Sequence, residues 1–449
     1  MAKKAAKKAA KKAAKKAAKK AAKKVTGSAP ADWTILVYMA GDNDLDSFGG
    51  SDVWEMKQVG SSDQLNLIVQ RDTTQKEKAA CRYRLRKGTS LQEDVVENLG
   101  IINTGDPEVL RSFLKWGIQK YPAKRLMVVL WNHGSGWDDT DIYAEARRRR
   151  LIPALVAVAD EDVTARRASF TVRRGTSASR NRGSFFLSKA AFQFEGVGAQ
   201  RRAIAFDDGA QDFLDSVEMK EVLHEVSNSI GRKFDVIGMD ACLMSMVEVG
   251  MQVRDAAEVF CGSQELEPAD GWPYQKILAA LEKNPAMDGH ALCQTIVTEF
   301  VRSYASDELV TQSAFDLGKL TAVQTATHAL GDFLARGYNR DDADLISAVE
   351  GICRRVQRYD DGPNGKAQYA DLSDLVIRLA KRYPPCEALA KAVEEAVADC
   401  VFCNAAPNPS VANSHGLSVY LPHGKVSELY VTLDFAQGGW AKFLNARAK

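Results

Sequence analysis

Arg125-Leu-Met-Val-Val-Leu-Trp131 is a short apolar run that stops at Asn132-His133-Gly134, and its reading decides the fold. A strand with one wet face would alternate apolar and polar residues. An unbroken run of this length predicts a strand buried on both faces, as in a parallel sheet covered by helices. Trp33–Ala40 reads the same way, and Leu65–Arg71 and Phe234–Met239, which leads into Asp240-Ala241-Cys242, read as further strands. Between them the spacing predicts helices over Ser51–Val59, from Asp106-Pro107 to Lys120 with proline at the first helical position, and over Leu243–Arg254. Cys81–Arg86 and Val95–Leu99 predict an antiparallel hairpin with a turn near Lys87-Gly88, and Glu258–Gly262 and Val310–Phe315 predict two more strands. This alternation points to an α/β fold with a mostly parallel sheet and helices on both faces. Beyond residue 316 the pattern turns helical, over about 318–336, 341–357, 371–382 and 385–400, with a late strand at 416–421 that returns to a sheet. The expected organisation is a tail and linker at 1–31, a core at 32–316, and a helical C-terminal part at 317–449.

The formal net charge of the 449 residues is +2, and it hides a partition. Residues 1–24 carry 12 Lys and no acid, in an Ala-Ala-Lys-Lys repeat. Residues 145–202 carry 12 Arg and Lys189 against five acids, a net of +8, which leaves −18 for the rest of the chain. The Lys3–Lys24 tail has two readings: an adhesive for polyanions such as nucleic acid or an anionic surface, or a solubilising low-complexity segment. Without interleaved aromatics it offers no base stacking. No run of 18 apolar residues exists, so no spanning helix is expected. Val25–Asp32 is polar where a signal peptide would be apolar, so no signal is legible and a cytoplasmic location is favoured over secretion. Of the eight cysteines only Cys400 and Cys403 have CxxC spacing, and no second pair matches them, so they read as buried thiols rather than a zinc site or a disulfide framework.

His133 and Cys242 stand out because each directly follows a buried strand, at the end where open α/β sheets place their ligands. On neighbouring strands, the imidazole could serve the thiol as base, and the helix expected from Leu243 would favour the thiolate through its N-terminal dipole. Gly134 permits close backbone approach, so its N–H and that of Cys242 could hold an oxyanion together. The plainer alternatives are a buried small thiol and a loop histidine.

Five blocks in order shift that balance: Tyr38-Met-Ala-Gly-Asp-Asn-Asp-Leu45, Leu130-Trp-Asn-His-Gly-Ser-Gly-Trp137, Met239-Asp-Ala-Cys-Leu-Met-Ser245, Glu267-Pro-Ala-Asp-Gly-Trp-Pro-Tyr274 and His415-Gly-Leu-Ser-Val-Tyr-Leu-Pro422. Together they resemble the signature blocks of the clostripain family of cysteine peptidases, over residues 32–422. The resemblance implies a caspase-like α/β/α sandwich and cleavage after Arg or Lys, with His133 as general base and Cys242 as nucleophile. It also implies that acidic residues line the specificity pocket, at positions matched here by Asp240 and Asp270. Carboxylates suit that task because they hold a guanidinium by charge-assisted, bidentate hydrogen bonds. Asp240 also reads as a helix N-cap, and Asp270 as a turn residue in Asp-Gly-Trp-Pro.

Some family members need calcium. Asp42-Asn-Asp-Leu-Asp46 has the alternating acids of a calcium loop, yet Ser47 stands where an EF-hand requires glycine and Val53 where it requires glutamate. That leaves an irregular calcium site or a turn with aspartate caps; no metal is required by the expected chemistry. Family members resemble zymogens nicked after a basic residue between the His and Cys strands. Self-cleavage is therefore expected within 147–202, with Arg147, Arg148, Arg149, Arg150, Arg201 and Arg202 at the boundaries, giving two associated chains; an inert variable loop is the alternative. Two further readings stay open: a polyanion-binding or scaffolding protein with a lapsed peptidase body, and a transferase or ligase run from the same acyl-enzyme.

Overall fold

Nine strands form one twisted sheet in the order β13-β10-β9-β8-β5-β1-β2-β3-β4. In this computed structural model the described residues are 30–74, 79–137, 204–210, 212–359 and 367–449. The Lys-rich tail and the whole Arg-rich insert, with Arg147–Arg150, Arg201 and Arg202, lie outside them. The five central strands are parallel: β1 (Ala31–Met39), β2 (Leu65–Arg71), β5 (Ala123–Trp131), β8 (Phe234–Asp240) and β9 (Ala257–Gly262). The hairpin of β3 (Ala80–Arg84) and β4 (Val95–Gly100) extends one edge, and β10 (Gln312–Asp316) with β13 (Val401–Ala405) extends the other, antiparallel.

The unbroken apolar strands exist because both faces are covered. Along β1, Leu36 and Tyr38 point into one core; Trp33, Ile35, Val37 and Met39 point into the other. The first core is closed by α2 (Pro107–Lys120), α3 (Ser216–Ile230), α4 (Val247–Val253) and α7 (Leu320–Tyr338); the second by α1 (Asp46–Val59), α5 (Tyr274–Lys283) and α6 (Gly289–Ser303). The result is the expected three-layer α/β/α sandwich. Helix starts follow local chemistry: Asp106 caps α2 ahead of Pro107, and Asp215 forms a capping box with Glu218 on α3.

The C-terminal part adds α8 (Ala343–Cys353), α9 (Leu372–Arg382), α10 (Glu387–Cys400) and α11 (Gly439–Arg447) to the first face. It also supplies β13, a strand absent from the sequence reading, to the main sheet. The late strand, β14 (Ser418–Tyr420), pairs instead with β12 (Tyr369–Asp371), which pairs with β11 (Arg358–Tyr359). A parallel bridge from Ser418 to Met246 ties this small sheet to the main body.

One expectation is corrected here. The helix after Cys242 starts at Val247, not Leu243. Leu243 adopts φ +64°, a left-handed conformation incompatible with a helical start. The intervening backbone is spoken for: Leu243 N–H donates to Glu265 O, Ser245 N–H to Ser263 O, and Ser245 O accepts from Ser418 N–H. Cys242 therefore sits on a turn without a helix dipole behind it, and Asp240 ends a strand rather than capping a helix.

Candidate active site

Strands β5 and β8 run side by side with Trp131 opposite Asp240. His133 and Cys242 each lie two residues beyond that matched pair, so parallel pairing alone delivers them to the same end of the sheet. Both are buried and line one cavity. Gly134 is packed so closely that a Cβ there would meet Cys242 O at 2.5 Å and Cys242 N at 3.1 Å. Any side chain at 134 would push the two loops apart. The loop carrying Cys242 is strained at Leu243, where a branched side chain in a left-handed conformation costs about 1–2 kcal/mol.

The histidine is oriented from β1. His133 Nε2 lies 2.7 Å from Asp44 Oδ1. An ionised carboxylate only accepts, so Nε2 carries the hydrogen and Nδ1 is the nitrogen left to act as base. Asn43 fixes this arrangement: its Nδ2 donates to Ala40 O at 3.1 Å and to Asn132 Oδ1 at 3.4 Å, while its Oδ1 accepts from Leu45 N–H. Asn132 also donates to Ala40 O and accepts from His133 N–H, so the β1 and β5 ends are cross-tied on both sides of the imidazole.

The thiol is held by the segment after β9. Glu267 N–H donates to Cys242 Sγ at 3.2 Å, and the thiol reaches Glu267 O at 3.8 Å. Asp240 lines the same cavity. Its Oδ2 accepts from Tyr274 Oη at 2.7 Å and from Trp272 N–H at 3.4 Å. Burial pushes the Asp240 carboxyl up to about 6 against the opposing pull of Tyr274, the neighbouring Glu267 carboxyl and the Trp272 N–H. Asp52, from α1, accepts from Trp131 Nε1 at 2.7 Å; burial and then the charge of Asp240 hold its carboxyl well above the usual range. Asp240, Asp52 and Glu267 are each no more than 4% exposed, and no Lys or Arg among the described residues pairs with any of them. Asp270 is exposed and does not line the cavity; it stands beside Gly271 (φ +56°), where a Cβ would come to 3.1 Å from Asp240 Oδ1. The cavity measures about 20 Å³, room for roughly one water.

The three acids of the apparent calcium loop diverge. Asp44 serves His133; Asp46 pairs with Arg71 at 2.7 Å; Asp42 turns to Asp72 and Asp207. Carboxylate oxygens of Asp42, Asp72 and Asp207 lie within 4.8 Å of one another. Burial first and neighbouring aspartates second push Asp42 up to about 7. Asp72 reaches about 7 through burial, against the Thr73 backbone hydrogen bond. Three hard oxygen donors without a resident positive charge among the described residues suit a divalent cation such as calcium.

The C-terminal part braces the histidine loop. Tyr369 Oη donates to Ser135 O at 2.7 Å, and the Trp137 ring packs edge-on to Tyr420 and Tyr430 at 4.8 and 5.0 Å. Buried Glu248 ties these rings down, accepting from Tyr420 N–H and Tyr430 Oη, both at 3.0 Å.

Sequence reasoning had located His133, Gly134, Asp240 and Cys242, and the structure brings these four together; Asp270 stays outside the cavity. It missed Asp44 and Glu267. Asp44 carried a signal, an acidic residue just past the end of a buried strand, but it was read as part of a calcium pattern. Glu267 had none beyond its place in a recognisable block.

Comparison with known proteins follows the same lines. The profile of the clostripain family, peptidase family C11, matches residues 37–149 and 186–440. Among solved structures, the chain is similar to an inactive zymogen C11 protease from Parabacteroides distasonis, with a TM-score of 0.61, 21% identity, and coverage of 91% of this chain and 98% of that one. It is also similar to a secreted C11 cysteine protease from Bacteroides thetaiotaomicron in complex with an irreversible peptide inhibitor, with a TM-score of 0.59, 20% identity, and coverage of 93% and 99%. At these identities the likeness speaks for the fold. No curated protein matches the sequence.

Proposed function

Since the chain belongs to the clostripain family and is a cysteine peptidase, we propose that it is an endopeptidase cleaving after Arg and Lys through Cys242 and His133. The observation that carries the specificity is a buried carboxyl, Asp240, in the cavity beside Cys242 with no cationic partner among the described residues. A guanidinium or ammonium from the substrate's P1 residue supplies the missing charge. Exposed Asp270 contributes attraction at the rim, and the −18 of the body draws basic segments at longer range.

In the proposed reaction His133 Nδ1 takes the thiol proton and the Cys242 sulfur attacks the scissile carbonyl. The N–H groups of Gly134 and Cys242 receive the developing oxyanion. His133 then protonates the leaving amine, and an acyl-enzyme remains until water, activated by the same nitrogen, releases the acid. Asp44 keeps the ring in the tautomer this needs and compensates the imidazolium as it forms. No step calls for a metal. A calcium ion held by Asp42, Asp72 and Asp207 would instead neutralise three crowded carboxyls and tie the ends of β1, β2 and the β6 strand (Ile204–Asp207) together.

Self-processing in the insert is part of the same proposal. It is supported by the abundance of Arg there and by the zymogen state of the Parabacteroides relative. The Lys-rich tail is proposed as a polyanion anchor that the enzyme could also trim.

The test is a pair of fluorogenic peptides differing only at P1, Arg against Gln. Asp240→Asn is expected to lower kcat/KM for the Arg peptide by about 10- to 100-fold, the worth of a charged hydrogen bond, and to spare the Gln peptide. Equal turnover of both peptides by the unmodified enzyme would remove the specificity assignment.

A further inference from the structure

Glu267 is buried, and both of its carboxyl oxygens lack a hydrogen-bond partner. Its backbone clamps the Cys242 sulfur, so the side chain is delivered to the same cavity as Asp240. Trp272 Nε1 and the Gln312 amide approach the carboxyl and work to lower its pKa, yet neither completes a hydrogen bond with it, and both remain unpartnered themselves. A buried carboxylate with no donor is costly, and it is tolerated here only if it is not ionised or if it awaits a charge. Asp240 offers the means: two buried carboxyls lining one cavity can share one proton, the acid of one donating to the carboxylate of the other. Burial first and the Asp240 charge second push Glu267 well above the usual carboxylate range.

We propose that Glu267 is the second carboxyl of the specificity pocket and that it binds the P1 cation by proton exchange: the proton shared with Asp240 leaves to solvent as the guanidinium or ammonium enters. The proposal rests on the Arg/Lys reading above and deepens it. Before binding the pair carries one proton and one negative charge; afterwards it carries two negative charges, one positive charge from the substrate, and one proton has gone to water. Arg, with five donors in a fixed fork, can reach Glu267 and Asp240 together; Lys can do so only as a point charge. With room for about one water, the cavity admits the side chain only as the Pro268–Gly271 segment moves outward. Acid pH opposes binding because it keeps the proton in place.

Several other titratable side chains stand around the pocket pair. Asp52 and Glu55 come from α1, Tyr274 from α5, and Asp270 from the loop itself; Cys261 of β9 and Tyr304 lie behind, while Cys242 and His133 stand at the mouth. The readout must cancel all but the pocket pair. The ratio of kcat/KM for a P1-Arg peptide to that for its P1-citrulline counterpart, an uncharged isostere, does so for Cys242 and His133, because both substrates use them equally. In the unmodified enzyme this ratio is expected to rise with pH as the pair gives up its proton. Glu267→Gln is expected to reduce the ratio by about 10- to 100-fold and to flatten its pH dependence, because the loss on the Arg peptide exceeds any loss on the citrulline peptide. A Glu267→Gln protein with an unchanged ratio overturns the proposal. So does an equal loss on both substrates with slowed iodoacetamide alkylation of Cys242, which would make Glu267 a support for the thiol alone. If Glu267→Gln fails to fold, Glu267→Asp carries the test: it keeps the ionisable group one methylene short, so the ratio should fall several-fold while still rising with pH, and an unchanged ratio overturns the proposal. A ratio near one in the unmodified enzyme is a different result, and it refutes the Arg/Lys reading itself.

Discussion

Asp44 decides which face of the imidazole is free, and so which atom can do the work. Its carboxylate at 2.7 Å from His133 Nε2 is partly solvated, with a side chain 30% exposed, so its electrostatic contribution is smaller than that of a fully buried triad aspartate. Asp44→Asn is expected to lower kcat by about 10- to 100-fold with little change in KM, since no substrate contact is lost. Asp44→Glu should recover part of that loss. A KM effect of the same size as the kcat effect would mean that Asp44 shapes the cavity instead of orienting His133. At this scale the sequence was most informative where a residue abuts an apolar run. His133 and Cys242 could be found because strand ends are visible in one dimension. Asp44 also lies just past a strand, but neither its role nor that of Glu267 could be assigned, because both depend on which loops meet above the sheet, and strand order is not written in hydrophobicity.

Among elements, strands were more legible than the segments joining them. β1 and β5 follow from unbroken apolar runs that a doubly covered sheet explains, and β2, β8 and β9 from shorter, mostly apolar stretches. The helix after Cys242 was misread for a definite reason. Leu243–Met246 is apolar and helix-compatible, but its backbone groups bond to Ser263, Glu265 and Ser418, and tertiary pairing overrides local preference. β13 was missed because Val401–Ala405 is short and only half-buried. The ends of β1, β2 and β6 meet at Asp42, Asp72 and Asp207, and a prediction belongs there. Asp42 and Asp72 are raised from 3.8 to about 7, so the native state holds protons that the unfolded chain has released. Their stabilising contribution is present below about pH 4 and is lost as pH rises towards 7. Cation-free protein should therefore melt at a lower temperature at pH 8 than at pH 5 on this account. Calcium should raise the melting temperature at pH 8 and do little at pH 5, where protons compete. Asp207→Asn should abolish the calcium shift; an unchanged shift would place the ion elsewhere.

For the molecule as a whole, the C-terminal part is a working component of the site, since Tyr369, Tyr420 and Tyr430 grip the residues just beyond His133. Charge partition, legible from the sequence, sets an acidic body against basic segments that it is proposed to cut. Purified Cys242→Ala protein should remain one chain where the unmodified protein yields two; two fragments from the alanine variant would refute self-processing. The register of β5 against β8 then acquires a further meaning. A cut anywhere between these strands puts His133 and Cys242 on different polypeptides, joined by the parallel ladder that pairs Met127–Trp131 with Val236–Asp240 at the centre of the sheet. The nicked enzyme becomes a heterodimer whose subunits each hold half of the reactive pair and half of an unfinished sheet. Its renaturation would be second order and would stall on dilution, whereas the intact chain would refold at a rate independent of concentration. Maturation would thus be a one-way step: once unfolded at low concentration, the active form has no efficient route back.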